Sequence, residues 1–217
     1  MIEAFICIIA GYAIGSVPVP WLAARAAGVD LRAHGSRNTG ASNVIESVSP
    51  ALGVATGLAQ IAQGLLPVLL ARALDTDDWV WISSGTAAVI ASDWSPWLRF
   101  RGGRGIGVTI GVLLGASWPA LAAFVVVAVI GRILRAAPQG VALALLAAPV
   151  AAAVAGESAA VVAGCASLAA IAMLKRLTAN EAPPADASRP DVWINRLIYD
   201  RDIRDRNAWL RRGVERT

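Results

Sequence analysis

Between Arg135 and Lys175 the sequence places a single charged residue, Glu157, in a run dominated by alanine, valine and leucine. Glu3 is likewise the lone charge before Arg25. Runs of this kind decide the fold class. A bilayer core is crossed by about 20 apolar helical residues, and the backbone polar groups inside it are satisfied by helix or by a closed barrel. Ala/Val/Leu runs select helix. With 57% hydrophobic and 16% charged residues among 217, the chain is too apolar for a soluble domain of this length. An all-α integral membrane protein follows.

The first run reads as a retained span. Glu3 stands where a secretory signal has a basic segment, and Pro18, Pro20 and Trp21 stand where it has a small-residue cleavage site. Spans are expected near residues 3–24, 48–73, 79–97, 105–117, 118–131, 138–155 and 158–174. Gly105 to Ile130 would make one tilted helix of ~40 Å, but Gly115-Ala116-Ser117-Trp118-Pro119 puts a turn in its middle. Charge favours two short helices. Only then do the basic stretches Arg25–Arg37, Arg99–Arg104, Arg132–Arg135 and Lys175 onward share one side, with Asp75, Asp77, Asp78 and Glu157 on the other. The expected topology is about seven transmembrane helices, N-terminus outside and C-terminus cytoplasmic. Tryptophans 21, 79, 81, 94, 97 and 118 fall near span ends, as an aromatic belt would. Cys7 and Cys165 lie inside apolar runs without metal-ligand spacing and read as small hydrophobes.

Two loops on the basic side carry chemistry. His34-Gly35-Ser36-Arg37-Asn38-Thr39-Gly40-Ala41-Ser42-Asn43 is short, polar and glycine-punctuated. Gly35 and Gly40 permit close backbone approach, the Ser, Thr and Asn side chains favour turns and caps, and successive N–H groups form an anion-binding concavity. Arg32, Arg37 and His34 add charge for a phosphate-sized anion; the bland alternative is a turn without ligand. The second loop, Ser92 to Gly107, interleaves Arg99, Arg101 and Arg104 with Gly102, Gly103 and Gly105. It pairs guanidinium forks with backbone that approaches an oxyanion closely. It lacks the Lys-Ser/Thr of a nucleotide P-loop. Gly103, Gly107, Gly111 and Gly115 recur every fourth residue, a stripe suited to tight helix packing.

From Gly15 to about Arg196 the chain resembles the acyl-phosphate-dependent glycerol-3-phosphate acyltransferases of bacterial membranes, the PlsY type. The resemblance rests on Gly15-Ser16-Val17-Pro18, on Gly35 through Val44, and on Phe100-Arg101-Gly102-Gly103-Arg104-Gly105. It implies transfer of a fatty acyl group from acyl phosphate to the 1-hydroxyl of glycerol 3-phosphate, giving lysophosphatidate in phospholipid biosynthesis at the inner membrane, with the loops cytoplasmic. It implies no metal or cofactor, no nucleic-acid partner, and contact with the enzyme that makes acyl phosphate. Carried over by position, Ser36, Asn38, Asn43 and Arg104 are catalytic candidates. Ser16, His34, Gly35, Arg37, Gly40, Ser42, Arg101, Gly102 and Gly103 are substrate-binding candidates. His34, the only histidine, reads as a base, a phosphate neighbour or a turn residue.

The chain departs from the family pattern in four places. Glu46 replaces an arginine, Gln60 and Gln63 replace an aspartate and a lysine, Ala91-Ser92 replaces Gly-His, and the family's C-terminal His and Asn-Ile-x-Arg-Leu are only faintly echoed in Trp193-Ile194-Asn195-Arg196-Leu197. Two readings follow: an active acyltransferase, or a catalytically impaired relative that binds phosphate-bearing lipid or modulates an active paralogue. A transporter is disfavoured, because the expected spans hold almost no ionisable residues. Residues 1–175 form the expected membrane domain, and 176–217 a cytoplasmic tail. Within the tail, Asn180 to Pro190 reads as a linker, and a short amphipathic surface helix follows with apolar positions Ile194, Leu197, Ile198, Ile203 and Leu210. The net charge of +4 belongs to these loops and needs no nucleic acid.

Overall fold

The computed structural model describes residues 1–180, 183 and 188–211, the side chains of residues 210 and 211 excepted. The described residues are helical, with no strand among them. Most of the linker expected over Asn180 to Pro190, and the side chain of Leu210, lie outside the described residues.

The first apolar run is two helices, α1 (Ile2–Ser16) and α2 (Val19–Ala26), rather than one continuous helix. Val17 is extended before Pro18, whose ring bars a continuous helix. The carbonyls orphaned by this break find a partner across the bundle. Gln63 Nε2 donates to Ile14 O at 2.7 Å and to Val17 O at 2.9 Å. One of the residues that departs from the family pattern therefore pins the break.

A short helix, α3 (Ala41–Ser47), precedes α4 (Pro50–Ala73), which begins at an N-cap Ser49 accepting Leu52 N–H and a Pro50 at its first turn. The next element, α5 (Asp78–Asp93), is capped by Asp77 and stops before a 3₁₀ turn at Pro96–Leu98, so the span expected to reach residue 97 ends four residues earlier. The turn expected at Ser117 separates α6 (Ile106–Ala116) from α7 (Trp118–Ile133). Ser117 caps α7 and donates to Glu157 Oε1 at 2.8 Å. Two further helices complete the bundle, α8 (Ala137–Val154) and α9 (Ala159–Thr178).

By length and composition, the stretches Ile2–Ala26, Pro50–Ala73, Ala137–Val154 and Ala159–Thr178 suffice to cross a membrane, and Ile106–Ala116 and Trp118–Ile133 are shorter apolar helices. Large apolar residues face outward on several elements, among them Leu58, Val126 and Val150, each more than half exposed. That surface suits lipid, not water. Small residues make the helix contacts. A Cβ at Gly64 would strike Val108 O, and one at Gly111 would strike Ile61 O, so α4 and α6 meet backbone to backbone. Gly11 and Gly15 seat α1 against Ser84 and Ala88 of α5 in the same way, and Gly131 meets Gly140 between α7 and α8. Cys7 and Cys165 are buried free thiols.

The tail is not a single surface helix. Among the described residues it forms α10 (Arg189–Tyr199), turns at Asp200 with φ +57°, and includes a further short helix, α11 (Arg206–Arg211). Buried Val192 and Arg196 seat α10 on the bundle end, while Ile194 and Ile198 point outward. Arginines staple it there. Arg176 donates to Leu197 O and to Pro138 O, both at 2.8 Å, and Arg196 donates to Leu177 O at 2.7 Å and to the Asp202 carboxylate at 2.6 Å.

Candidate active site

Asn43 organises the first loop. Its carboxamide is fully buried; the nitrogen donates to Leu31 O, His34 O and Asn38 O at 2.9–3.1 Å, and the oxygen accepts Ser36 N–H at 3.2 Å and Ser47 Oγ–H at 3.0 Å. Such a side chain is spent on the loop. Gly35, at φ +55°, must lack a Cβ, because one would fall on Asn43 Oδ1 and Ser47 Oγ. The loop's entry is fixed by Asp30, whose carboxylate accepts Trp21 Nε1–H and three N–H groups of Arg32. The Arg32 hydrogen bonds hold that carboxyl well below the usual carboxylate range. His34 is exposed, and its Nδ1 lies 2.8 Å from Asp30 O. A carbonyl only accepts, so Nδ1 carries the proton.

The second loop is tied to both ends of its surroundings. Ser95 Oγ donates to Ser16 O at 2.6 Å and Trp97 Nε1 donates to Ser16 Oγ at 3.1 Å, so Ser16 anchors this loop to the end of α1. Gly103 N–H donates to Ser92 O at 3.2 Å, and Asn180 Nδ2 donates to Gly102 O at 2.8 Å. Arg104 donates to Lys175 O at 2.8 Å and pairs with Asp200 at 3.0 Å. The two loops meet at Gly103, where a Cβ would stand 3.8 Å from both Asn38 Oδ1 and Thr39 Oγ1.

Two cavities open at this meeting point. One, of about 200 Å³, is a polar cavity by its lining residues, which are mainly polar and charged: Ser36, Arg37, Asn38, Ser42 and Arg104 together with Asn180 and tail residues from Arg196 to Trp209. Five arginines face it against two aspartates. The other, of about 450 Å³, runs between helices and is lined by Gly40, Gly57, Gln60, Ile61, Ile110 and Val141 among others. Asn38, Ser42, Arg104, Pro138 and Asp200 line both. A cationic chamber thus adjoins an apolar groove, a pairing suited to a phosphate ester and an acyl chain.

The candidate residues therefore separate. Ser36, Arg37, Asn38, Ser42, Gly40 and Arg104 are brought to the cavities. Asn43, Ser16, Gly35, Gly102 and Gly103 lie behind them as framework, while His34 and Arg101 sit exposed away from both linings. The local motifs miss several contributors. Asn180 and the tail side chains line the polar cavity, and Lys175, inside α9, donates to Asn180 Oδ1 at 2.9 Å with its ammonium 5.1 Å over the Trp94 ring. Asp93, at the end of α5, is wholly buried behind Gly105. Ionisable residues are thus built into helix ends, and Asp93, an acid inside the span expected over 79–97, is the sequence signal for them.

The family model described as Glycerol-3-phosphate acyltransferase matches residues 5–180. Glycerol-3-phosphate acyltransferase 4 of Dehalococcoides mccartyi (strain CBDB1) is 36% identical over 221 residues, covering 96% of this chain and 94% of that protein. Glycerol-3-phosphate acyltransferase of Geobacter sulfurreducens is 42% identical over 118 residues, 54% of this chain and 60% of that protein. The crystal structure of PlsY (YgiH), an integral membrane glycerol 3-phosphate acyltransferase, in its glycerol 3-phosphate form superposes with a TM-score of 0.76 at 27% identity, covering 93% of this chain and 95% of that one. Its lysophosphatidic acid form gives the same score at 25% identity, over 95% and 97%. Sequence, fold and the paired cavities agree: the chain belongs to the glycerol-3-phosphate acyltransferase family of multi-pass membrane proteins.

Proposed function

We propose that the chain transfers a fatty acyl group from acyl phosphate to the 1-hydroxyl of glycerol 3-phosphate, at the seam between the two cavities. The hydroxyl oxygen bonds to the acyl carbon, the bond from that carbon to the phosphate oxygen breaks, and the hydroxyl proton ends on inorganic phosphate. One observation carries the reading: a chamber with five arginines shares Asn38, Ser42 and Arg104 with an apolar groove. Both reactants bear phosphate and one bears a tail, so each finds a matching wall. Ser36, Asn38 and Ser42 orient the reactants and offer donors to the oxyanion that develops at the acyl carbon, an effect of roughly 3 kcal/mol per donor in acyl-transfer sites. Arg104 neutralises a phosphate, which has to displace Asp200 from it.

The reading includes seven membrane passes, with α1 and α2 counted as one, an outer N-terminus, and the loops, tail and cavities on the cytoplasmic side of the inner membrane. The contacts of the tail with both loops support a common side for these elements. Delivery of the labile acyl phosphate by contact with the enzyme that makes it belongs to the same proposal. A second reading, a catalytically impaired relative that binds phosphate-bearing lipid, draws on the Arg104–Asp200 pair, which occupies a cation the reaction needs. Phosphate release by detergent-purified protein given acyl phosphate, with and without glycerol 3-phosphate, separates the two. Acceptor-dependent release is expected, and folded protein that releases none supports the second reading.

A further inference from the structure

The polar cavity receives a cation from a part of the chain that neither Gly-rich loop contains. Arg206 opens α11 and lines the cavity with Ser36, Asn38 and Arg104. Its guanidinium donates to Glu46 Oε1 at 3.0 Å, a contact between α3 and the tail spanning 160 residues. One helical turn later Trp209 lies beneath Arg37, whose guanidinium sits 5.2 Å from the ring centroid and donates to Trp209 O at 3.4 Å. Two contacts thus seat α11 on the first loop.

The Glu46–Arg206 pair is about half exposed on both sides, with side-chain exposures of 48% and 58%. Pairs of that kind add little to folding stability, so its consequence is placement. Of the other cations at the cavity, two are engaged by carboxylates of the tail itself, while Arg37 lies over Trp209 and Arg201 donates to Arg204 O. Arg104 is paired with Asp200, and Arg196 is bonded to both Asp202 and Leu177 O. Arg206 spends one N–H on Glu46, and a guanidinium carries five in a planar fork that matches phosphate oxygens. Glu46 itself does not line the cavity; it aims a guanidinium that does.

We propose that Arg206, positioned by Glu46, is a phosphate-binding residue of the acceptor site, contributed by the C-terminal tail. This rests on the reading that the polar cavity receives glycerol 3-phosphate. The acidic residue at position 46 then does not remove a cation from the site. It relocates the source of that cation to the tail.

The test uses the full-length protein in detergent, with both substrates varied and with calorimetric titration of glycerol 3-phosphate in parallel. Arg206→Gln is expected to raise KM and Kd for glycerol 3-phosphate roughly tenfold. The KM for acyl phosphate and the unfolding midpoint stay unchanged. Glu46→Gln is expected to shift the same two constants by a smaller factor, and the charge-swapped Glu46→Arg/Arg206→Glu protein, which puts a carboxylate on the cavity wall, to bind glycerol 3-phosphate no better than Arg206→Gln. Wild-type constants in Arg206→Gln, or a fall in kcat with KM unchanged, would overturn the proposal while leaving the acyltransferase reading intact. Wild-type protein that releases no phosphate but loses affinity for glycerol 3-phosphate on Arg206→Gln would support the proposal and sink the catalytic reading. Wild-type protein that does not bind glycerol 3-phosphate would sink both.

Discussion

Replacing Asn43 by alanine should collapse the first loop, because this carboxamide makes five hydrogen bonds from a fully buried position. A net bond contributes about 1 kcal/mol and a stranded buried partner costs about 1–3 kcal/mol, so a loss of roughly 3–5 kcal/mol follows, since three carbonyls share two hydrogens and do not each lose a full bond. For a chain of this size, that lowers the unfolding midpoint by roughly 10 °C. Asn43→Asp is the informative companion. It keeps the acceptor for Ser36 N–H and Ser47 Oγ–H but sets a carboxylate against the carbonyls of Leu31, His34 and Asn38. Tryptophan-monitored unfolding in detergent, with KM for glycerol 3-phosphate, should show both variants destabilised and weakened in acceptor binding. An Asn43→Ala protein with the wild-type midpoint and a lost kcat would refute this reasoning and return Asn43 to direct contact with the reactants.

Other outcomes follow from the same geometry. Ser36→Ala and Arg104→Ala should each remove acceptor-dependent phosphate release; Ser36→Ala should leave the unfolding midpoint near wild type, since Ser36 lines the polar cavity and not the core, whereas Arg104→Ala should lower it modestly by stranding Lys175 O and Asp200. Gly111→Ala, whose Cβ would meet Ile61 O, should destabilise by about 1–3 kcal/mol, whereas Gly57→Ala, with only Ala41 Cβ at 3.6 Å, should be near neutral in the same unfolding assay. Asp30 is held below the ordinary carboxylate range by Arg32, so its stabilisation is present above that range and is lost as pH falls toward the folded value. The gap in unfolding midpoint between wild type and Asp30→Asn should be open at pH 7 and close steadily below about pH 4.

What the sequence disclosed follows from the range of each interaction. Spans are legible because lipid imposes a long apolar run on every helix that crosses it, and Ser117-Trp118-Pro119 announces its turn locally. The loop between α2 and α3 is legible because Gly35 and Asn43 serve backbone needs within a few residues of themselves. Hydropathy passes over the break at Val17-Pro18, since both flanks are apolar, and it gives no hint that Gln63, far along the chain, satisfies the freed carbonyls. The tail was the least legible part. Its alternating charges read as a solvated surface, yet Arg196 is buried by Asp202 and Leu177 O, and Arg206 finds Glu46. Those partners exist only once α9, α10 and α11 lie over the ends of the two loops. Glu46 and Gln63, departures when read in sequence alone, have structural partners in the fold.

The most direct measurement follows the acyl chain itself. Purified wild-type protein, given acyl phosphate labelled in its chain together with glycerol 3-phosphate, should yield labelled lysophosphatidate, and Ser36→Ala protein of equal stability should yield none. Label that appears only as free fatty acid, or lysophosphatidate formed equally by both proteins, would contradict acyl transfer at the seam of the two cavities.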